Sequence, residues 1–317
     1  MAKNPGLYQE LIDRVARGRL SPTDEELIER DLHRTFPDNI LFKPNPGPDS
    51  ERDAASQGRR GNAKDVETPM LQALRRVLQA TALHNPKIGY CQSLNFLAGL
   101  LLLFMDEQRA FWMLDLITRV YLPGTHEINL EGSTVDQGVL MMSLREAMPS
   151  LWAKIGGDLD GGGTAGDGGP VGMRLPPITV CCTAWFMSCF IGTLPIETTL
   201  RVWDAFFYEG SKTLFRIALA IFKVGETDIK AVSDPMEVFQ VVQNIPRRLI
   251  DANTLMEACF KRRNGFGHLS QNVIDERRAE RRKGYKEERE GLRAGTALRP
   301  GSRKGTGFLS LTGRKHR

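Results

Sequence analysis

The chain has 317 residues, 41% hydrophobic and 26% charged, with a formal net charge of +5. That excludes a disordered or fibrous chain and supplies core for one large domain or two small ones. Residues 261–317 hold 17 of the 43 Lys and Arg and 6 of the 38 Asp and Glu, so residues 1–260 carry −6, which argues against a nucleic-acid-binding body.

The cysteines are Cys91, Cys181, Cys182, Cys189 and Cys259, an odd number without a CxxC. Buried free thiols in a reducing compartment fit them better than a disulfide framework. Neither a signal segment nor an apolar run long enough to cross a bilayer is present, so a soluble, cytoplasmic protein is expected.

The first helix boundary is Ser21-Pro22-Thr23-Asp24-Glu25-Glu26, with a capping serine, a proline suited to the first helical position and an acidic first turn. The helix runs through Leu27, Ile28, Asp31, Leu32 and Arg34, and Pro37 stops it. Arg34 is placed in its last turn, on the face of Asp31. Residues 43–66 read as a solvated loop, and 70–83 as a helix with Leu71, Leu74, Val77 and Leu78 on one stripe.

Asn85-Pro86-Lys87-Ile88-Gly89 then forms a turn before an apolar run in which Leu94, Leu97, Leu101 and Phe104 keep helical spacing. Gln92 and Asn95, two carboxamides three residues apart, stand at the mouth of this buried helix beside Tyr90. Taken alone they either cap the helix or orient a water. Further helices are expected at 110–117, 135–147, around Leu200–Phe207, from Ser211 to Phe222, and within 238–259, with Gly210 as a C-cap. Arg201 and Asp204 read as a structural ion pair in a packed helix.

Residues 156–177 form a Gly- and Pro-rich insert. Its Gly161, Gly163 and Gly166 spell G-x-G-x-x-G, but no strand precedes them and prolines follow, so a dinucleotide site is rejected. A calcium loop counted from Asp158 would place Gly169 where a glutamate is required. No strand-like alternation of any length occurs, and the predicted fold is all-α. Residues 261–317 are expected to be a basic, solvated and largely disordered tail, with 275–290 readable as a charged helix lacking an apolar face. Attraction to acidic lipid is the functional reading of that tail, and nucleic acid is not expected to bind.

Three segments in this order resemble the TBC-domain family of Rab GTPase-activating proteins. Ile28-Glu29-Arg30-Asp31-Leu32-His33-Arg34 is similar to its I-x-x-D-x-x-R signature, and Tyr90-Cys91-Gln92 to its Y-x-Q signature. Leu200-Arg201-Val202-Trp203-Asp204 with Tyr208-Glu209-Gly210 resembles its late core block. The resemblance covers about residues 7–260 and implies a multi-helix TBC domain over 1–260. The family's usual first helix, with its arginine-and-tryptophan motif, is expected to be missing. Ser93 stands where many members carry glycine.

What the resemblance implies is a GTPase activator with no independent turnover. Arg34 would be an arginine finger and Gln92 a glutamine finger, both supplied in trans to a GTP-loaded Rab. Asp31, Tyr90 and Asn95 would support them or touch the GTPase. The chain would need no cofactor of its own, because GTP and Mg2+ arrive with the partner. Cytoplasmic location, peripheral contact with endomembranes and a part in vesicle trafficking go with that reading. The alternative is a non-catalytic Rab-binding effector or scaffold of the same fold.

Overall fold

A computed structural model describes residues 4–43, 67–156 and 175–297, apart from the side chains of 288 and 291–297. Most of the predicted loop 43–66 and insert 156–177 lies outside the described residues, as do residues 298–317. Helix α1 is Leu7–Ala16, α2 Pro22–Leu32, α3 Pro69–His84, α4 Leu94–Leu102 and α5 Glu107–Leu116, which continues into a π-helical turn at Ile117–Tyr121. After these come α6 (Glu131–Ala147), α7 (Pro149–Ile155), α8 (Thr179–Met187), α9 (Ile196–Glu209) and α10 (Lys212–Val224). The last are α11 (Glu226–Ala231), α12 (Pro235–Asn244), α13 (Ala252–Phe260) and α14 (Gln271–Ala297). No strand occurs among the described residues.

The apolar periodicity explains the layering. In α3, Leu71, Leu74, Val77 and Leu78 are all buried, and α1, α2, α4 and α5 pack around this helix. Thr68 caps it by accepting from Leu71 N at 3.2 Å. α10 plays the same part in the second half, buried through Leu214, Phe215, Ile217, Ile221 and Phe222 and covered by α6, α8, α9 and α13. One continuous core joins both halves. α1, which periodicity did not place, tucks Tyr8 and Leu11 into it. No described helix is long and apolar enough to cross a membrane.

Local expectations need correction at three places. α2 ends at Leu32, so Arg34 lies just beyond the helix and not in its last turn. Phe104 falls after α4 and is 65% exposed, whereas Leu94, Leu97 and Leu101 are buried. Arg201 and Asp204 are both exposed on α9 with 3.7 Å between charges, a solvated surface pair.

The larger correction concerns the expected tail from residue 261. Phe266, Leu269 and Ile274 are buried, and the buried Arg216 of α10 donates to Leu269 O, Gly267 O and Glu209. α14 then lies along α6. Arg278, almost fully buried, donates to both oxygens of buried Asp136 at 2.7 and 3.1 Å and stacks over Phe215. Arg277 donates to Ser143 at 2.7 Å, and Arg281 is buried where Gly138 leaves room: a Cβ there would come within 2.0 Å of Arg281 Nε. A helix without an apolar stripe thus docks through arginines, of which Arg277 and Arg278 find polar partners on α6. Its described outer face mixes Arg282, Lys283 and Lys286 with Glu276, Glu280 and Glu287.

Candidate functional site

The site forms where the exit from α2 meets the entrance to α4. At the exit, Thr35 Oγ1 donates to Asp31 O at 2.8 Å, replacing a backbone bond as the helix ends. Pro37 keeps Phe36 out of helical geometry, and Phe36 turns the chain with φ +48°. Its ring packs edge-on against Phe42 and Phe96 and over Gly99, where a Cβ would approach it to 2.9 Å. Gly99 therefore seats the turn that carries Arg34.

At the entrance, Asn85 O accepts from Ile88 N and Gly89 N, and the chain passes Gly89 at φ +58°. A Cβ on Gly89 would come within 2.9 Å of Asp24 Oδ1, the same oxygen that accepts from Tyr90 N at 2.8 Å. Ser93 then adopts φ +95° before α4 begins. That backbone is one glycine adopts readily and serine does not, which is the physical sense of a glycine at this position.

Two side-chain bonds tie these segments together, one on each flank of the predicted pair. Tyr90 donates its hydroxyl to Asp31 Oδ2 at 2.7 Å, and Asn95 Nδ2 donates to Thr35 Oγ1 at 2.8 Å. Asn95 Oδ1 accepts from Ser93 N at 3.2 Å, which fixes the orientation of the amide. All four of these side chains are buried.

Asp31 is fully buried, a costly position for a carboxylate without partners. Its Oδ1 lies 2.5 Å from Arg34 Nη2, an ion contact lacking the alignment of a full hydrogen bond, and 3.7 Å from Arg30 Nε. The Arg34 side chain is 43% exposed, so its guanidinium is held at Nη2 while the side chain stays open to solvent. Gln92 is exposed and its carboxamide has no hydrogen-bond partner among the described residues. Burial, and next the bond to Asp31, raises the Tyr90 phenol far above its ordinary value, so it remains a donor. Burial likewise pushes the Cys91 thiol up to about 11, which keeps it protonated and unreactive at neutral pH.

Of the five residues singled out from sequence, Arg34 and Gln92 are exposed on the tied segments, while Asp31, Tyr90 and Asn95 lie beneath them. Tyr90 and Asn95, expected to support the pair or touch the GTPase, are both buried and both bond across to the α2 exit. Sequence reasoning missed Asp24 and Thr35 as supports. Asp24 looked like a dipole-complementing first-turn acid, and only the folded turn at Gly89 reveals its bond. Beside Phe36 opens an apolar groove of about 670 Å³, with Phe96, Leu100, Ile191 and Leu194 in its walls. Ile40, on the same loop, is 83% exposed. Among the described residues no group of His, Cys, Asp and Glu is arranged to hold a metal ion.

A family model described as the Rab-GTPase-TBC domain matches residues 7–230. The GTPase-activating protein GYP3 of Saccharomyces cerevisiae is 41% identical, over 86% of this chain and 48% of that protein. The GTPase-activating protein MSB4 of the same yeast is 39% identical, over 86% of this chain and 61% of that protein. The chain thus spans about half to three-fifths of the length of these curated relatives. Among solved structures, the Chlamydomonas flagellar RabGAP TBC domain superposes with TM-score 0.58 at 28% identity, covering 81% of this chain and 72% of that one. The Ypt/Rab-GAP domain of Gyp1p, at TM-score 0.53 and 16% identity over 78% of this chain and 75% of that one, shares the fold.

Proposed function

Because this chain belongs to the Rab-GTPase-TBC domain family, we propose that it accelerates GTP hydrolysis on a Rab-type small GTPase in its GTP form, with Arg34 and Gln92 supplied in trans. The observation that supports this reading is the pair of buried ties, Asp31–Tyr90 and Thr35–Asn95, on either side of an exposed guanidinium and an exposed carboxamide. Such a frame holds two polar groups still while leaving their ends for a visitor.

The chemistry asks for little else. Water attacks the γ-phosphorus, the bond to the β–γ bridging oxygen breaks, and GDP and inorganic phosphate leave, the phosphate taking up the water's proton. Arg34 neutralises charge on the γ and bridging oxygens, for which a planar, always-charged guanidinium is suited. Gln92 accepts a hydrogen bond from the attacking water and places it in line. GTP and Mg2+ arrive with the GTPase, and this chain contributes placement and charge. The apolar groove beside Phe36, close to exposed Ile40, suits a protein partner better than a small molecule.

Single-turnover GTP hydrolysis over a panel of Rab-type GTPases tests the reading. Wild type is expected to accelerate at least one by ~10³–10⁵, and Arg34→Ala and Gln92→Ala each to lose most of that with the fold intact. Tight binding of a GTP-loaded partner without acceleration would leave a scaffold in place of an activator.

A further inference from the structure

The loop carrying Gln92 rests on a part of the chain that the proposed reaction does not use. α8 ends at Met187, and the chain reverses through Cys189 and Phe190, successive non-glycine residues with φ of +48° and +66°. Phe190 N and Ile191 N, which would otherwise bond back to the Met187 carbonyl, donate instead to Trp185 O and Ser188 O. Two side chains satisfy that carbonyl. Ser93 Oγ donates to it at 3.1 Å, and His126 Nε2 lies 2.8 Å away. A carbonyl only accepts, so Nε2 carries the proton and His126 is a neutral donor.

His126 is 1% exposed, and its Nδ1 has no hydrogen-bond partner among the described residues. A buried, half-satisfied imidazole is a poor choice for filling space and needs a reason. Its own loop leans on the Asn85–Gly89 turn that leads to Gln92, since Ile128 N donates to Lys87 O at 3.2 Å. Strain gathers here too. Of the non-glycine residues described with positive φ, Phe36 adjoins the Arg34 turn, Ser93 adjoins Gln92, and Leu130, Cys189 and Phe190 flank the His126–Met187 contact, leaving Asn264 apart. Strained backbone persists only where its surroundings over-determine it.

We propose that His126 is a positioning residue for Gln92: by fixing the Met187 carbonyl it holds Ser93 in its left-handed conformation, which aims the neighbouring carboxamide outward. The inference rests on the reading of Gln92 as the group that places the attacking water. Burial holds the imidazole pKa down at about 4, so the donor is present across the whole neutral range.

The test uses the full chain with His126→Leu, which fills the space without a donor, and His126→Gln, whose amide restores one. Amide hydrogen exchange is read over residues 92–97 of the free chain, and single-turnover hydrolysis is read in wild-type and Gln92→Ala backgrounds. His126→Leu is expected to speed exchange of the loop and to lower the maximal rate about ten- to hundredfold, with the half-saturating GTPase concentration unchanged. It should cost nothing further on top of Gln92→Ala, and His126→Gln should recover most of both readouts. Ser93→Ala, cut from the other end of the same link, reports the same losses if His126→Leu does not fold. Unchanged loop exchange overturns the proposal whatever the hydrolysis shows, and so does an equal fall in rate in both backgrounds. A wild-type chain inactive on every GTPase sinks the activator reading and with it the aim assigned to Gln92, while the exchange arm still decides whether His126 pins the loop.

Discussion

Asp31→Asn separates holding the guanidinium from supplying its charge. In the wild type, buried Oδ1 meets Arg34 at 2.5 Å and Oδ2 accepts from Tyr90 at 2.7 Å. Asparagine keeps an acceptor for Tyr90 but turns an amide N–H₂ toward the guanidinium, so Arg34 is released into solvent with its charge intact. The transition state must then freeze a side chain that the ion pair had already ordered, a rotamer cost of about 1.5–2 kcal/mol. That corresponds to roughly a 10- to 30-fold slower chemical step. Deleting the charge in Arg34→Ala should cost ~10³–10⁵. Exchanging a charged acceptor for a neutral one at Tyr90 lowers stability by about 1 kcal/mol. Stopped-flow phosphate release at saturating activator, beside a thermal melt, measures both. A rate equal to wild type would show that Asp31 places nothing. A fall as deep as that of Arg34→Ala would show that holding and charge are not separable.

Asn95→Leu strands the Thr35 hydroxyl as acceptor and the Ser93 amide as donor, and should destabilise by about 2–4 kcal/mol in urea unfolding while slowing hydrolysis through the loosened loop. Arg278→Met leaves Asp136 buried without its cation and should cost about 3–5 kcal/mol, with new proteolytic cuts in α14; adding Asp136→Leu should recover most of the loss. Buried His126 has its pKa lowered from 6.5 to about 4, so the unfolded chain binds the extra proton between those values. Stability therefore rises with pH through that window, and about 3 kcal/mol is lost as pH falls across it, a slope His126→Gln should flatten.

The helical body was readable from sequence because its signals are local. Leu71, Leu74, Val77 and Leu78 repeat at the helical period, Pro22 and Gly210 mark a start and a stop, and each is settled within a turn or two of chain. Arg34 and Gln92 were singled out as candidates through short motifs, and Asp31 through its spacing from Arg34. The frame around them was not legible. Asp24, Thr35 and His126 bond to partners 60 to 66 residues away in sequence but adjacent in space, and nothing in a tripeptide announces a backbone turned to φ +95° at Ser93. The docking of α14 was hidden for a related reason. Its contact face is written in Arg277, Arg278 and Arg281, residues that by count belong to a solvated helix, and the partners that bury them sit on α6 more than a hundred residues earlier.

The central claim is that this chain brings its own water-placing carboxamide to the partner. It is tested most directly on a Rab-type GTPase whose switch glutamine has been replaced by leucine. Single-turnover hydrolysis should still be accelerated to within about tenfold of the rate on the unaltered GTPase, and Gln92→Ala should abolish that acceleration. If the leucine-bearing GTPase is no longer accelerated although it still binds, the water is placed by the GTPase and the role assigned to Gln92 is wrong.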